Sequence, residues 1–183
     1  MKKYFLITLI VLLPISVLGQ SIFEKYQNNK EVTSISISPK MFQLLGSMTF
    51  SSGDPEANEL LEMIKGIRIF KALMTTTDSI SEELDLWVKG EATDRGLDLM
   101  ISMQESVTDL SLYIKEGEVD GELESLLMFS KGVSEATTKA QVGGNTIESV
   151  VLLIEGKIEL DKIAKLINKM DLPGGNQLKM VGI

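Results

Sequence analysis

Val150, Val151, Leu152, Leu153 and Ile154 form an unbroken apolar run, the strongest strand signal in the chain. A strand that is apolar on both sides needs cover on both faces, which places it in the middle of a sheet. The segments before it supply neighbours and cover. Val32 to Ser38 sets Thr33, Ile35 and Ile37 on one face and Ser34, Ser36 and Ser38 on the other, the period of a half-exposed strand. Ser38-Pro39 reads as an N-cap and first helical position, and Met41, Phe42, Leu44, Leu45 and Met48 continue at helical spacing. Ahead of this unit, Gln20 to Glu31 is polar apart from Ile22, Phe23 and Tyr26 and reads as a short leading helix or arm.

Asp54-Pro55 repeats the cap-plus-proline start, leading through Leu60, Leu61 and Ile64 to a stop at Gly66. Ile67 to Met74 is the next strand. Ser79 and Glu82 have capping-box spacing, followed by a helix with Ile80, Leu84, Trp87 and Val88 on one side. From Gly96 the pattern turns to hairpins. Leu97, Leu99, Ile101 and Met103 alternate with polar or softer residues, Leu110, Leu112 and Ile114 do the same, and Leu123 to Ser130 makes a third strand of a meander. Gly132 to Glu148 is polar, glycine-rich and long, which predicts a mobile loop. Leu160, Ile163, Ala164, Ile167 and Met170 predict a closing amphipathic helix before Pro173-Gly174-Gly175. The expected fold class is α+β: a largely antiparallel sheet of about six strands with helices mainly on one face, ferredoxin-like with additions.

Met1-Lys2-Lys3, the apolar stretch Tyr4 to Leu13, and Val17 and Gly19 before Gln20 have the layout of a secretory signal peptide. The apolar part is short and interrupted by Pro14, whereas a spanning helix wants about 20 apolar residues. The expected organisation is therefore a signal over 1–19 and a single α+β domain over 20–183. No cysteine follows the apolar stretch to carry a lipid, so the expected location is periplasmic or secreted, with no stable membrane anchor.

The chain has no cysteine and no histidine. Disulfides are thereby excluded, and stability rests on the core alone. Thiolate nucleophiles, imidazole bases and every His or Cys metal ligand are excluded too. The formal net charge of −8 opposes nucleic acid and anionic membrane as partners, and loss of Lys2 and Lys3 makes the balance more negative still.

Carboxylates remain as the plentiful reactive groups. Glu116, Glu118, Asp120, Glu122 and Glu124 crowd a turn around Gly117 and Gly121, where oxygen ligands for calcium are conceivable, but the spacing does not fit a twelve-residue calcium loop and a solvated acidic hairpin is the preferred reading. Asp54, Glu56, Glu59 and Glu62 suit a helix N-terminus. Paired acids hydrolyse glycosides, yet one Trp, three Tyr and six Phe leave little surface for stacking sugars, and Trp87 is expected in the core. Gly143-Gly144-Asn145 precedes a strand, whereas phosphate-cradling loops follow one and open a helix. Among the ten methionines, Met100 and Met128 lie on strands and are read first as core filling. No catalytic residue, cofactor or metal site is expected.

Phe23-Glu24-Lys25-Tyr26, Val32 to Phe42, Gly66-Ile67-Arg68 and Ile154 to Ala164 together resemble an exported Bacteroidetes-type family of unknown function, numbered 4252. The resemblance implies an envelope location and a regulatory neighbourhood, and it carries no active-site residue. Many members look like lipoproteins; the acceptor cysteine is missing here. The expected function is a non-catalytic module that binds another envelope protein. The alternatives are a carrier of a small apolar ligand and, behind it, a carboxylate-based hydrolase. The outer strand or an open face of the meander is the expected docking surface, with Tyr113, opposite Leu112 and Ile114 on its strand, as the interaction residue. The competing reading packs Tyr113 under a helix or against a sheet neighbour.

Overall fold

The computed structural model describes residues 21–47, 64, 66–104, 109–132, 141–142 and 145–159. The expected signal, the helix and acidic cluster after Asp54, and the closing helix after Leu160 lie outside the described residues, apart from Ile64.

Six strands make one open sheet in the order β1 (Val32–Ile37), β2 (Ile67–Thr75), β8 (Ser149–Glu159), β5 (Glu122–Lys131), β4 (Asp109–Glu116), β3 (Asp98–Gln104). Every neighbouring pair is antiparallel. Three helices with described bounds accompany the sheet: α1 (Ile22–Tyr26), α2 (Pro39–Ser47) and α3 (Asp78–Asp94). The α+β class is as the residue pattern predicts, and the Val150 to Ile154 run is the core of a strand paired on both sides.

Alternation along each strand sorts the interior into two layers. On one face Phe70, Leu112, Leu126, Met128, Leu152 and Ile154 meet Phe42 from α2, with Ile64 and Ile67 beside them. On the other, Leu73, Leu127, Phe129, Val151 and Leu153 meet Ile80, Leu84, Val88 and Ala92 of α3 and Ile22, Phe23 and Tyr26 of α1. The four α3 positions recur every fourth residue, so one stripe of the helix faces the sheet. Trp87 is half-buried at the rim of this layer, edge-on to Phe23 with centroids 5.6 Å apart.

Helix starts follow the expected chemistry at one place and depart from it at another. Ser38 Oγ accepts from the Met41 N–H at 3.3 Å, the cap that Ser38-Pro39 predicts. The Ser79 capping box does not form: α3 begins at Asp78, with Thr77 as N-cap and no side-chain cap bond. Thr75 Oγ1 accepts from Thr77 N–H and donates to the Glu31 carbonyl, both at 3.1 Å, fixing the turn early and placing Ser79 inside the first helical turn.

One further departure concerns the meander, and the described part of the long loop carries structure of its own. The alternation from Leu97 to Met103 breaks, because pairing shifts between Leu99↔Tyr113 and Ile101↔Leu112. Ile101 and Met103 face the first layer, Leu97 the second, and Leu99 is exposed. Within Gly132 to Glu148, where a mobile loop is expected, the described residues include a short strand pair, Gln141–Val142 (β6) with Asn145–Thr146 (β7), and a buried Ile147. Its ends are tied by Gly132 N–H to Glu148 O at 2.9 Å and Glu148 N–H to Thr75 O at 2.8 Å.

Candidate functional site

Register shifts line up across one end of the sheet. The β2–β8 pairing moves from Ile67↔Gly156 to Ile69↔Glu155, leaving Arg68 as an extra residue. Pairing of β5 with β8 jumps from Leu123↔Ile158 to Ser125↔Glu155, and β4 with β5 from Glu116↔Leu123 to Lys115↔Ser125, leaving Glu124 extra. Met100 is the corresponding residue of β3. Bulges of this kind re-aim side chains and end regular pairing.

The β2–β8 bulge rests on two glycines. Lys157 N–H donates to Gly66 O at 2.9 Å, and the backbones come so close that a Cβ on Gly66 would stand 2.0 Å from Lys157 O. A Cβ on Gly156, whose φ is +149°, would stand 2.2 Å from Gly66 O. Only glycine fits at either position.

Above this end of the sheet α3 stops. Leu97 N–H reaches Ala92 O at 2.8 Å and Gly96 N–H reaches Thr93 O at 3.1 Å, with Gly96 at φ +61°: a Schellman stop that turns Leu97 back onto the core. The sheet continues past the helix, and the gap is a half-open cleft of about 300 Å³ lined by Arg68, Arg95, Leu97, Lys115, Glu124, Ser125 and Glu155.

Most of its charges are paired. Arg95 Nη1 lies 2.5 Å from Glu155 Oε1 and its Nε 2.6 Å from Glu91 Oε1. Burial works against the Arg95 charge, but the two glutamates overcome it and hold the guanidinium above its ordinary value. Lys115 Nζ is 2.8 Å from Glu124 Oε2, and this hydrogen bond pulls Glu124 below the usual carboxylate range. Arg68 makes no ion pair among the described residues and feels Glu124 only at longer range. Ser125 is 5% exposed, and its Oγ has no hydrogen-bond partner.

A second opening of about 490 Å³ shares Arg68 and Glu124 and extends along Gly66, Gly156, Lys157 and the turn from Gly117 to Leu123. This is the acidic turn. It is closed by Gly117 N–H to Glu122 O at 2.8 Å and Glu122 N–H to Val119 O at 3.0 Å, with Gly121 at φ +82°. Among the described residues no three carboxylates converge on one point where a metal ion could sit.

Tyr113 is half-buried on the α3 face, against the layer that also holds Trp87 and Leu97. Met128 is fully buried, whereas Met100 is 43% exposed on the outer strand. The expected residues do not converge. The cleft residues Arg68, Ser125 and Glu155 come from three strands and Arg95 from the C-cap of α3, and the one trace they leave along the chain is the glycine pair that forces the bulge.

Residues 26–166 match the model of a family described as a domain of unknown function, DUF4252. The chain belongs to that family. No curated protein and no solved structure matches it. The DUF4252 stretch contains both clefts, all the bulges and every strand of the sheet. Two segments that carry the resemblance, Gly66-Ile67-Arg68 and the one holding Gly156, meet at the glycine contact. Among the described residues no helix is long and apolar enough to cross a membrane.

Proposed function

We propose that this DUF4252 chain is an exported, non-catalytic module of the cell envelope that docks an extended segment of another envelope protein along the outer side of β3. The observation that carries this reading is the exposed apolar pair on the edge strand: Leu99 is 55% and Met100 43% exposed, side by side because of the bulge. Among the described residues nothing pairs with the outer side of β3. An edge of that kind offers main-chain hydrogen bonds and adjacent apolar contacts to an incoming strand. The packed layers also favour docking over the carrier reading, since both described clefts are open and charge-lined and give an apolar ligand no closed pocket.

The test immobilises the chain lacking residues 1–19, identifies retained envelope proteins by mass spectrometry, and measures binding to the purified partner. Leu99→Lys with Met100→Lys should abolish binding at unchanged Tm, because both side chains are exposed. Binding retained by that variant overturns the β3 edge as the docking element. Tyr113→Ala separates its two readings: lost binding at unchanged Tm assigns it to docking, and a lowered Tm assigns it to the core.

A further inference from the structure

We propose that the cleft beyond the end of α3 binds the carboxylate of a small organic acid or of a peptide C-terminus, with Arg68 and Ser125 as the recognising residues. The cleft is separate from the outer side of β3, and neither proposal stands on the other.

The lining carries three cations, Arg68, Arg95 and Lys115, against two carboxylates, Glu124 and Glu155. Arg95 is taken up by Glu155 and Glu91, and Lys115 by Glu124. With Glu91 counted, cations and carboxylates balance, and Arg68 is the one lining cation with no ion pair among the described residues. A single unpaired guanidinium matches a monoanion; a phosphate dianion would bring excess negative charge against Glu91, Glu124 and Glu155. The guanidinium fork suits the two oxygens of a carboxylate.

Ser125 is the second, independent observation. A buried hydroxyl without a partner costs about 1–3 kcal/mol; Ser81, Ser130 and Ser149 share that condition, and Ser125 is the one of the four on the wall of a described cleft, where an acceptor can arrive from outside. Its Oγ is covered in the ligand-free structure, and rotation about χ1 presents the O–H to the carboxylate that Arg68 holds. Leu97 gives the ligand's carbon chain an apolar wall. A volume of about 300 Å³ fits a short acid or one terminal residue and little more.

The test follows Tm and titration calorimetry of the purified chain with sodium butyrate, with a leucine-terminated dipeptide in free-acid and C-terminally amidated forms, and with inorganic phosphate. The expected result is a rise in Tm with butyrate or the free-acid dipeptide and none with the amide. Binding by both carboxylates assigns the source to free acids; binding by the dipeptide alone assigns it to a chain end. Arg68→Gln and Ser125→Ala should each weaken binding at least about tenfold while leaving the ligand-free Tm in place. Arg68 is exposed, and the serine change removes an unpartnered hydroxyl. No shift with millimolar carboxylate, binding unchanged in Arg68→Gln, or phosphate binding tighter than either carboxylate overturns the proposal.

Discussion

A methyl group separates tolerable from intolerable at three glycines, and the reasons differ. At Gly96 an added Cβ meets nothing within 4 Å, so the cost of alanine is only that of holding φ at +61°. Gly96→Ala should therefore lower the unfolding free energy by about 1 kcal/mol. At Gly66 and Gly156 the added carbon would lie 2.0 Å and 2.2 Å from a carbonyl oxygen. Two backbones would have to separate, and Gly66→Ala or Gly156→Ala should each cost several kcal/mol, beyond ordinary overpacking. Urea denaturation of the three variants checks the order, and a Gly156→Ala protein as stable as Gly96→Ala contradicts the close contact. Periodicity is blind to such a pair, because a glycine in a strand contributes no side chain to the pattern.

At the scale of elements, α1 is held by burial and by one polar tether. Five residues are too few for a helix to persist unaided. Ile22, Phe23 and Tyr26 are buried against α3 and the sheet, while Glu83 of α3 takes the Tyr26 hydroxyl at 2.7 Å and the Lys25 ammonium. The Lys25 and Tyr26 hydrogen bonds hold the Glu83 carboxyl below its usual range; burial first, then Glu83, push Tyr26 up. A depressed carboxylate contributes stability above its unfolded value of about 4.3 and loses it as pH falls through the folded value. A raised phenol contributes below about 10 and loses it as pH climbs through the folded value. Because the Glu83 side chain is 41% exposed, solvent screening keeps the contribution under about 1 kcal/mol. Urea midpoints measured from neutral pH into acid should fall more for the parent chain than for Glu83→Gln. Equal acid slopes would mean that α1 is held by its apolar side chains alone.

For the whole molecule, much of the fold is legible in the chain, and the candidate site is not. Val150 to Ile154 announces a central strand because both of its faces are apolar, and Ser38-Pro39 announces a helix because cap and ring each have one job. The bulges at Arg68, Met100 and Glu124 leave no such mark, since an extra residue shifts pairing without changing composition. The cleft exists only once the sheet order is known: Ser125 and Glu155 are thirty positions apart in the chain and face each other in register.

That order has a consequence for assembly. β8 lies between β2 and β5, so the earlier strands of this sheet form two separate pieces, β1 with β2 and β3 with β4 and β5. Until residues 149–159 have been synthesised, neither piece has its central neighbour, and the two apolar layers cannot close over a continuous surface. The rate-limiting step is expected to wait on contacts between distant parts of the chain, which slows folding relative to a helical protein of this length. Under the export proposed above, a chain crossing N-terminus first lacks its central neighbour until residues 149–159 arrive.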